Sequence, residues 1–131
     1  DDRILIENMP FQDKERFCQT PEDTKKFLKE TGKGFVFDLA HAMVSANKFG
    51  EDQEKFIKRF LKLKPSHFHI SGQMIKSMRD QHLALIDCDI DFNNILKMFP
   101  TTAEVTLEVS RNIKKTEEDL KFIRKIANKI N

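Results

Sequence analysis

Short apolar runs alternate along the chain with longer segments in which apolar residues recur every three or four positions. "RILIE" (3–7), "GFVFD" (34–38), "HFHIS" (67–71) and "AEVTLEV" (103–109) are the short runs and read as strands. "TPEDTKKFLKETGKG" (20–34) reads as a helix, with Thr20 as its cap, Pro21 at the first helical position and Gly32 near its end. "GEDQEKFIKRFLKLKPS" (50–66) places Phe56, Ile57, Phe60, Leu61 and Leu63 on one helical stripe and stops at Pro65. A short helix follows in "DFNNILKMF" (91–99), ahead of Pro100. The last helix is "TEEDLKFIRKIANKI" (116–130), with Thr116, Glu118 and Asp119 near its start and Leu120, Ile123, Ile126 and Ala127 facing inward. Strand and helix thus alternate four times. Parallel neighbours need a crossover, so this order predicts an α/β fold of four successive βα units with a parallel sheet.

At 131 residues the chain is read as a single domain, 1–131, about half the length of a complete eight-stranded β/α barrel (roughly 250 residues). Its 23 basic and 21 acidic residues leave a net charge of +2, which demands no polyanionic partner. The lysines of the last helix are interleaved with Glu117, Glu118 and Asp119 and read as a solvated face. Two cysteines seventy residues apart, Cys18 and Cys88, form neither a disulfide framework nor a CxxC motif, so a reducing, cytoplasmic setting is expected. No apolar run has the eighteen or so residues needed to span a bilayer, and no membrane partner is expected.

The ionisable residues carry the chemistry. Each predicted strand has a potential metal ligand at or just beyond its C-terminal end: Glu7, Asp38, His69 and Glu108. Parallel β/α folds gather those ends on one rim, so four groups distant in sequence should converge. One strand-end carboxylate is usually a helix cap or a lysine partner; three carboxylates and an imidazole at equivalent positions point to a divalent cation. Oxygen and imidazole ligands suit Mn²⁺, Mg²⁺ or Zn²⁺ without choosing among them. His67, two residues earlier, reads as an interior histidine bonded to backbone. His41, Asp80 and His82, in "DLAH" and "DQH", form a second set: a second metal site, a pair of substrate-positioning groups, or a solvated loop.

Taken in order, "LIEN", "FDLAHA", "HFHIS", "DQHLALIDCDIDF" and "TLEV" resemble the C-terminal half of the xylose-isomerase-like β/α barrels, the superfamily of sugar phosphate isomerases/epimerases and apurinic endonucleases. The resemblance runs from about Arg3 to the last helix and implies the C-terminal half of a (β/α)8 TIM barrel. In the epimerase branch it implies one divalent ion on Glu7, Asp38, His69 and Glu108. The two glutamates would then exchange the proton next to a metal-bound carbonyl of a small sugar or sugar phosphate. In the zinc-dependent endonuclease branch it implies nucleic acid as substrate and the ligands Glu7, Asp38, His41, His69, Asp80, His82 and Glu108. The chain departs from the family's loop "D-x-H-L-P-x-G-E-G-x-I-D-F": Ala84 replaces proline, Ile86 and Cys88 replace two glycines, and Gly72 stands where an acid is usual. These departures keep a third reading open, a non-catalytic half barrel or interaction module. A half barrel also exposes two strand edges and its inner face, so the missing half or a homo-oligomeric partner is expected to cover them.

Overall fold

The computed structural model describes residues 3–14, 16–108 and 112–130. Four strands, β1 (Leu5–Glu7), β2 (Gly34–Asp38), β3 (His67–Ile70) and β4 (Val105–Leu107), form one parallel sheet in the order β1-β2-β3-β4. Between and after them lie α1 (Pro21–Thr31), α2 (Leu39–Phe49), α3 (Gln53–Leu61), α4 (Phe92–Leu96) and α5 (Ile113–Ile130). The expected alternation is therefore present, as four successive βα units around one parallel sheet.

Local sequence explains most boundaries. Thr20 caps α1 by accepting from the Asp23 N–H, Pro21 opens it, and Gly32 closes it at φ 64°. Asp52 caps α3 by accepting from the Lys55 N–H. Three expectations need correction. The segment after Asp38 is a full helix, α2, so the second unit carries two helices. The last helix begins at Ile113, three residues early, with Asn112 Oδ1 accepting from the Lys115 N–H at 3.2 Å. Asp119 is consequently buried one and a half turns in, where it accepts from the Ile86 N–H at 3.2 Å, while Leu120 is exposed. The fourth strand is shorter than expected, and Val109, its expected last residue, lies outside the described residues.

Strand register separates two faces. Phe37 pairs with Phe68 and Phe68 with Val105, so these side chains point outward, with Phe35, Ile70 and Leu107. The helices cover that side, and Phe37 lies among the rings of Phe35, Phe60, Phe68 and Phe99, with no exposed surface. The opposite face carries Glu7, Val36 and His67 in one row and Asp38, His69 and Thr106 in the next. His67 is bonded on this face, although to a side chain rather than the expected backbone: Nε2 lies 2.8 Å from Thr106 Oγ1.

Candidate metal centre

The inner face ends in a rim of carboxylates and imidazoles. Glu7 closes β1, Asp38 closes β2, His69 is the third residue of β3 and Glu108 follows β4. In a flat sheet β1 and β4 would stand three strand spacings apart, roughly 14 Å. Here the end carboxylates of these two outermost strands meet over His69: Glu7 Oε1 and Glu108 Oε1 each lie 2.9 Å from His69 Nδ1. Curling of the sheet and two long inward side chains bring this about. Glu7, His69 and Glu108 offer ligand atoms that all lie within 4.8 Å of one another.

Asp38 stands in an adjoining group with Glu7 and His41, again within 4.8 Å. Glu7 is shared, so the four strand-end residues and His41 form two overlapping triads rather than one symmetrical ring. Asp38 is fully buried. Its Oδ1 caps α2 by accepting from the His41 N–H at 2.8 Å, while Oδ2 has no hydrogen-bond partner. Burial pushes the Asp38 carboxyl up to about 6, despite the opposing pull of His41, and the charges of Glu7 and Asp80 push the same way.

His41, Asp80 and His82 are drawn together beside this group. Asp80 Oδ2 lies 3.2 Å from His41 Nε2 and 2.8 Å from His82 Nε2, and Asp80 Oδ1 is buried without a partner. Burial alone would depress His41; the hydrogen bond to Asp80, the charge of Asp38 and the Asn8 carbonyl outweigh it and raise the imidazole to about 9. Asp80 is opposed by its own burial, yet the His41 contact and charge bring it below its ordinary value. His82 has a left-handed backbone, φ 46°, and its Nδ1 reaches the Glu108 carbonyl at 3.3 Å, which ties the loop to the end of β4.

Two residues of the rim were not evident from the sequence. Thr106 holds His67, as above. Asn8, buried immediately after β1, accepts from the Asp38 N–H at 2.7 Å and donates to the Asp38 carbonyl at 2.9 Å. Its only signal is an amide directly after a strand-end acid.

The residues present suit a divalent cation. One imidazole nitrogen faces two carboxylates, of which a single N–H can satisfy one well, and two buried carboxylate oxygens, on Asp38 and Asp80, are left over. The sheet and this rim define a parallel β/α half barrel with a carboxylate and histidine cluster at the C-terminal ends of its strands. The sequence matches the family described as Xylose isomerase-like TIM barrel over residues 2–126, and the chain belongs to that family. A crystal structure of a D-tagatose 3-epimerase-like protein is similar in fold, with a TM-score of 0.72 at 19% identity over 97% of this chain. The chain spans 47% of that protein's length. No curated protein sequence matches the chain. No helix among the described residues is long and apolar enough to cross a membrane, and Cys18 and Cys88 are both free.

Proposed function

We propose that this half barrel carries the metal-binding rim of a sugar or sugar-phosphate isomerase/epimerase. The observation that supports this most is the pair of glutamates, Glu7 and Glu108, meeting at His69 Nδ1 from opposite edges of the sheet. Glu7, Asp38, His69 and Glu108 would hold one Mn²⁺, Mg²⁺ or Zn²⁺ ion. Bound there, the ion would polarise a substrate carbonyl and stabilise negative charge on its oxygen. Glu7 and Glu108 would each offer a carboxylate oxygen to the carbon next to that carbonyl, one removing a proton and the other returning one. Asp38 keeps its place through its bond to the His41 N–H, and the Asp80 loop covers the rim from the side of His41 and His82. The family membership and the epimerase-like fold neighbour are consistent with this class of chemistry.

The test is metal content by mass spectrometry on protein purified without added metal or chelator, followed by Mn²⁺ and Zn²⁺ titration. About one equivalent, lost in His69→Ala, is expected. No uptake at all would overturn the metal reading. With the ion in place, deuterium should enter the carbon next to the carbonyl of a small ketose in heavy water.

A second reading has its own observation, the His41–Asp80–His82 chain beside the Glu7–Asp38–His41 group. Two or more zinc ions across these residues, with cleavage of abasic-site DNA, would favour an endonuclease-like hydrolase. Either activity needs the inner face covered. On the described residues the outer edges of β1 and β4 are unpaired, Ile4, Leu5 and Val105 are exposed, and an apolar groove of about 310 Å³ lies between α4, β4 and α5. We infer that four further parallel strands, from the remainder of a longer chain or a second copy, complete the barrel. Light scattering on the chain alone distinguishes these sources: a dimer indicates a second copy.

A further inference from the structure

Two imidazoles of the rim, His69 and His41, are held in different ways. At His69 the Nδ1 atom faces the carboxylates of Glu7 and Glu108. At His41 the Nδ1 atom is also close to carboxylates, 3.8 Å from Glu7 Oε1 and 3.7 Å from Asp38 Oδ1. A nearer group intervenes, however: the main-chain carbonyl of Asn8, 2.8 Å from His41 Nδ1. A carbonyl only accepts, so Nδ1 must carry a proton. A protonated nitrogen has no lone pair for a cation. The triad Glu7–Asp38–His41 therefore cannot close on a metal through His41 Nδ1, for all its short distances. His41 Nε2 faces the Asp80 carboxylate, which also only accepts, so Nε2 too is protonated without metal. Only there can a cation replace the proton, because Asp80 is a side chain that can itself turn to the ion while the Asn8 carbonyl is fixed in the main chain.

The Asn8 carbonyl is aimed there by the Asn8 side chain. Past Glu7 the main chain leaves the β1–β2 ladder, whose last pair is Glu7 with Val36. The carboxamide of Asn8 takes over as a surrogate peptide, accepting from the Asp38 N–H at 2.7 Å and donating to the Asp38 carbonyl at 2.9 Å. With both ends of the amide engaged and the side chain fully buried, the Asn8 backbone has a fixed orientation relative to β2 and the start of α2. The following residues are secured on α2 as well, since Ser45 Oγ accepts from the Phe11 N–H at 2.9 Å.

We propose that Asn8 is a positioning residue that holds a proton on His41 Nδ1. The lock divides the rim in two. Glu7, Asp38, His69 and Glu108 are left to one ion, and His41 can join a cation or an anionic substrate group only through Nε2, on the side of Asp80 and His82. The division into cation sites rests on the metal reading above; the Nδ1 proton does not.

The chain has four histidines, so the ring nitrogens of ¹⁵N-histidine-labelled protein can be assigned by single replacements and followed by long-range ¹H–¹⁵N correlation. In metal-free wild-type protein His41 Nδ1 is expected to carry a proton protected from exchange. In Asn8→Ala that protection should fall at least tenfold while the His69 signals keep their positions. On adding Zn²⁺, metal-induced shifts should fall on Nδ1 of His69, and any at His41 on Nε2. An unprotonated His41 Nδ1 in the wild type, zinc on that atom, or unchanged protection in the variant would each overturn the proposal. Should Asn8→Ala fail to fold, the wild-type spectra decide alone. Absence of zinc uptake would refute the metal reading, while the metal-free spectrum would still test the lock.

Discussion

Replacing Asp38 with Asn should stabilise the metal-free protein, and the gain should depend on pH in a way the structure dictates. Asp38 is fully buried, and its carboxyl is pushed from the ordinary 3.8 up to about 6, chiefly by that burial. A raised carboxyl pKa means that the folded state holds the proton more tightly than the unfolded one. Stability is then fullest below about pH 4 and falls as pH rises to about 6, beyond which the loss is constant. The difference of roughly two units, at about 1.36 kcal/mol each, corresponds to a cost of about 3 kcal/mol for keeping Asp38 ionised at neutral pH. Attraction to His41 is already contained in that net displacement. Asn keeps the oxygen that accepts from the His41 N–H and removes the charge, so it should recover much of this cost at pH 7.5 and almost none at pH 4. Urea unfolding of both proteins at pH 4, 5, 6 and 7.5 measures the difference directly. If Asp38 binds the proposed ion, adding Mn²⁺ at pH 7.5 should reverse the order, since only the wild type then keeps the full ligand set. A difference that stays flat across this range, or a variant less stable than wild type without metal at pH 7.5, would refute the reasoning.

Glu108→Gln should leave the circular dichroism spectrum unchanged and lower deuterium exchange into a ketose by about a hundredfold or more, the usual weight of a general base; unaltered exchange would remove Glu108 from that role. Gly72→Ala should open the loop, because a Cβ there would sit 2.4 Å from the Ala84 carbonyl oxygen and 2.7 Å from that of Leu83. A cost of roughly 1–3 kcal/mol is expected, seen as faster amide exchange at Leu83, whose N–H donates to the Gly72 carbonyl at 2.7 Å. Phe37→Ala should cost about 3–5 kcal/mol in urea unfolding, since its ring is enclosed by four other phenylalanines.

The strands and their ends were legible because a parallel sheet covered by helices leaves short apolar runs, and carboxylates and an imidazole interrupt those runs at their ends. Helix α2 was not. Leu39 to Ala46 are all buried, including His41 and Ser45, so the segment has no polar face and therefore no stripe for periodicity to find. The start of α5 was misplaced for the opposite reason: "TEED" imitates a helix beginning, while the actual start rests on Asn112 ahead of an exposed Ile113. The strand-end positions were legible, whereas their grouping with His41 into two triads sharing Glu7 depends on side-chain placement that no spacing encodes. Asn8 acts through one carbonyl and one amide, and a single polar residue after a strand does not announce either.

The loop departures become intelligible when its residues are taken together. Glycines at 86 and 88, as in the loop that this segment resembles, would allow a left-handed backbone where Ile86 and Cys88 do not readily adopt one. In this chain neither residue needs that freedom. Residues 85–87 form a single 3-10 turn and Cys88 is extended at φ −114°. Among the described non-glycine residues, positive φ occurs at Cys18, Lys64 and His82. The strained position of this loop is thus His82, the residue that touches both Asp80 and the end of β4. Gly72, in turn, is where the loop strand comes closest: Gly72 and Leu83 exchange backbone hydrogen bonds at 2.9 and 2.7 Å, and no side chain fits between. An acid at 72 and this loop path exclude each other. In this chain the loop therefore puts its left-handed backbone at His82 and its closest approach at Gly72, and through His82 it is tied to Glu108. The path of the loop thus bears on what can approach the rim, while Glu7, Asp38 and His69 hold positions set by the sheet itself.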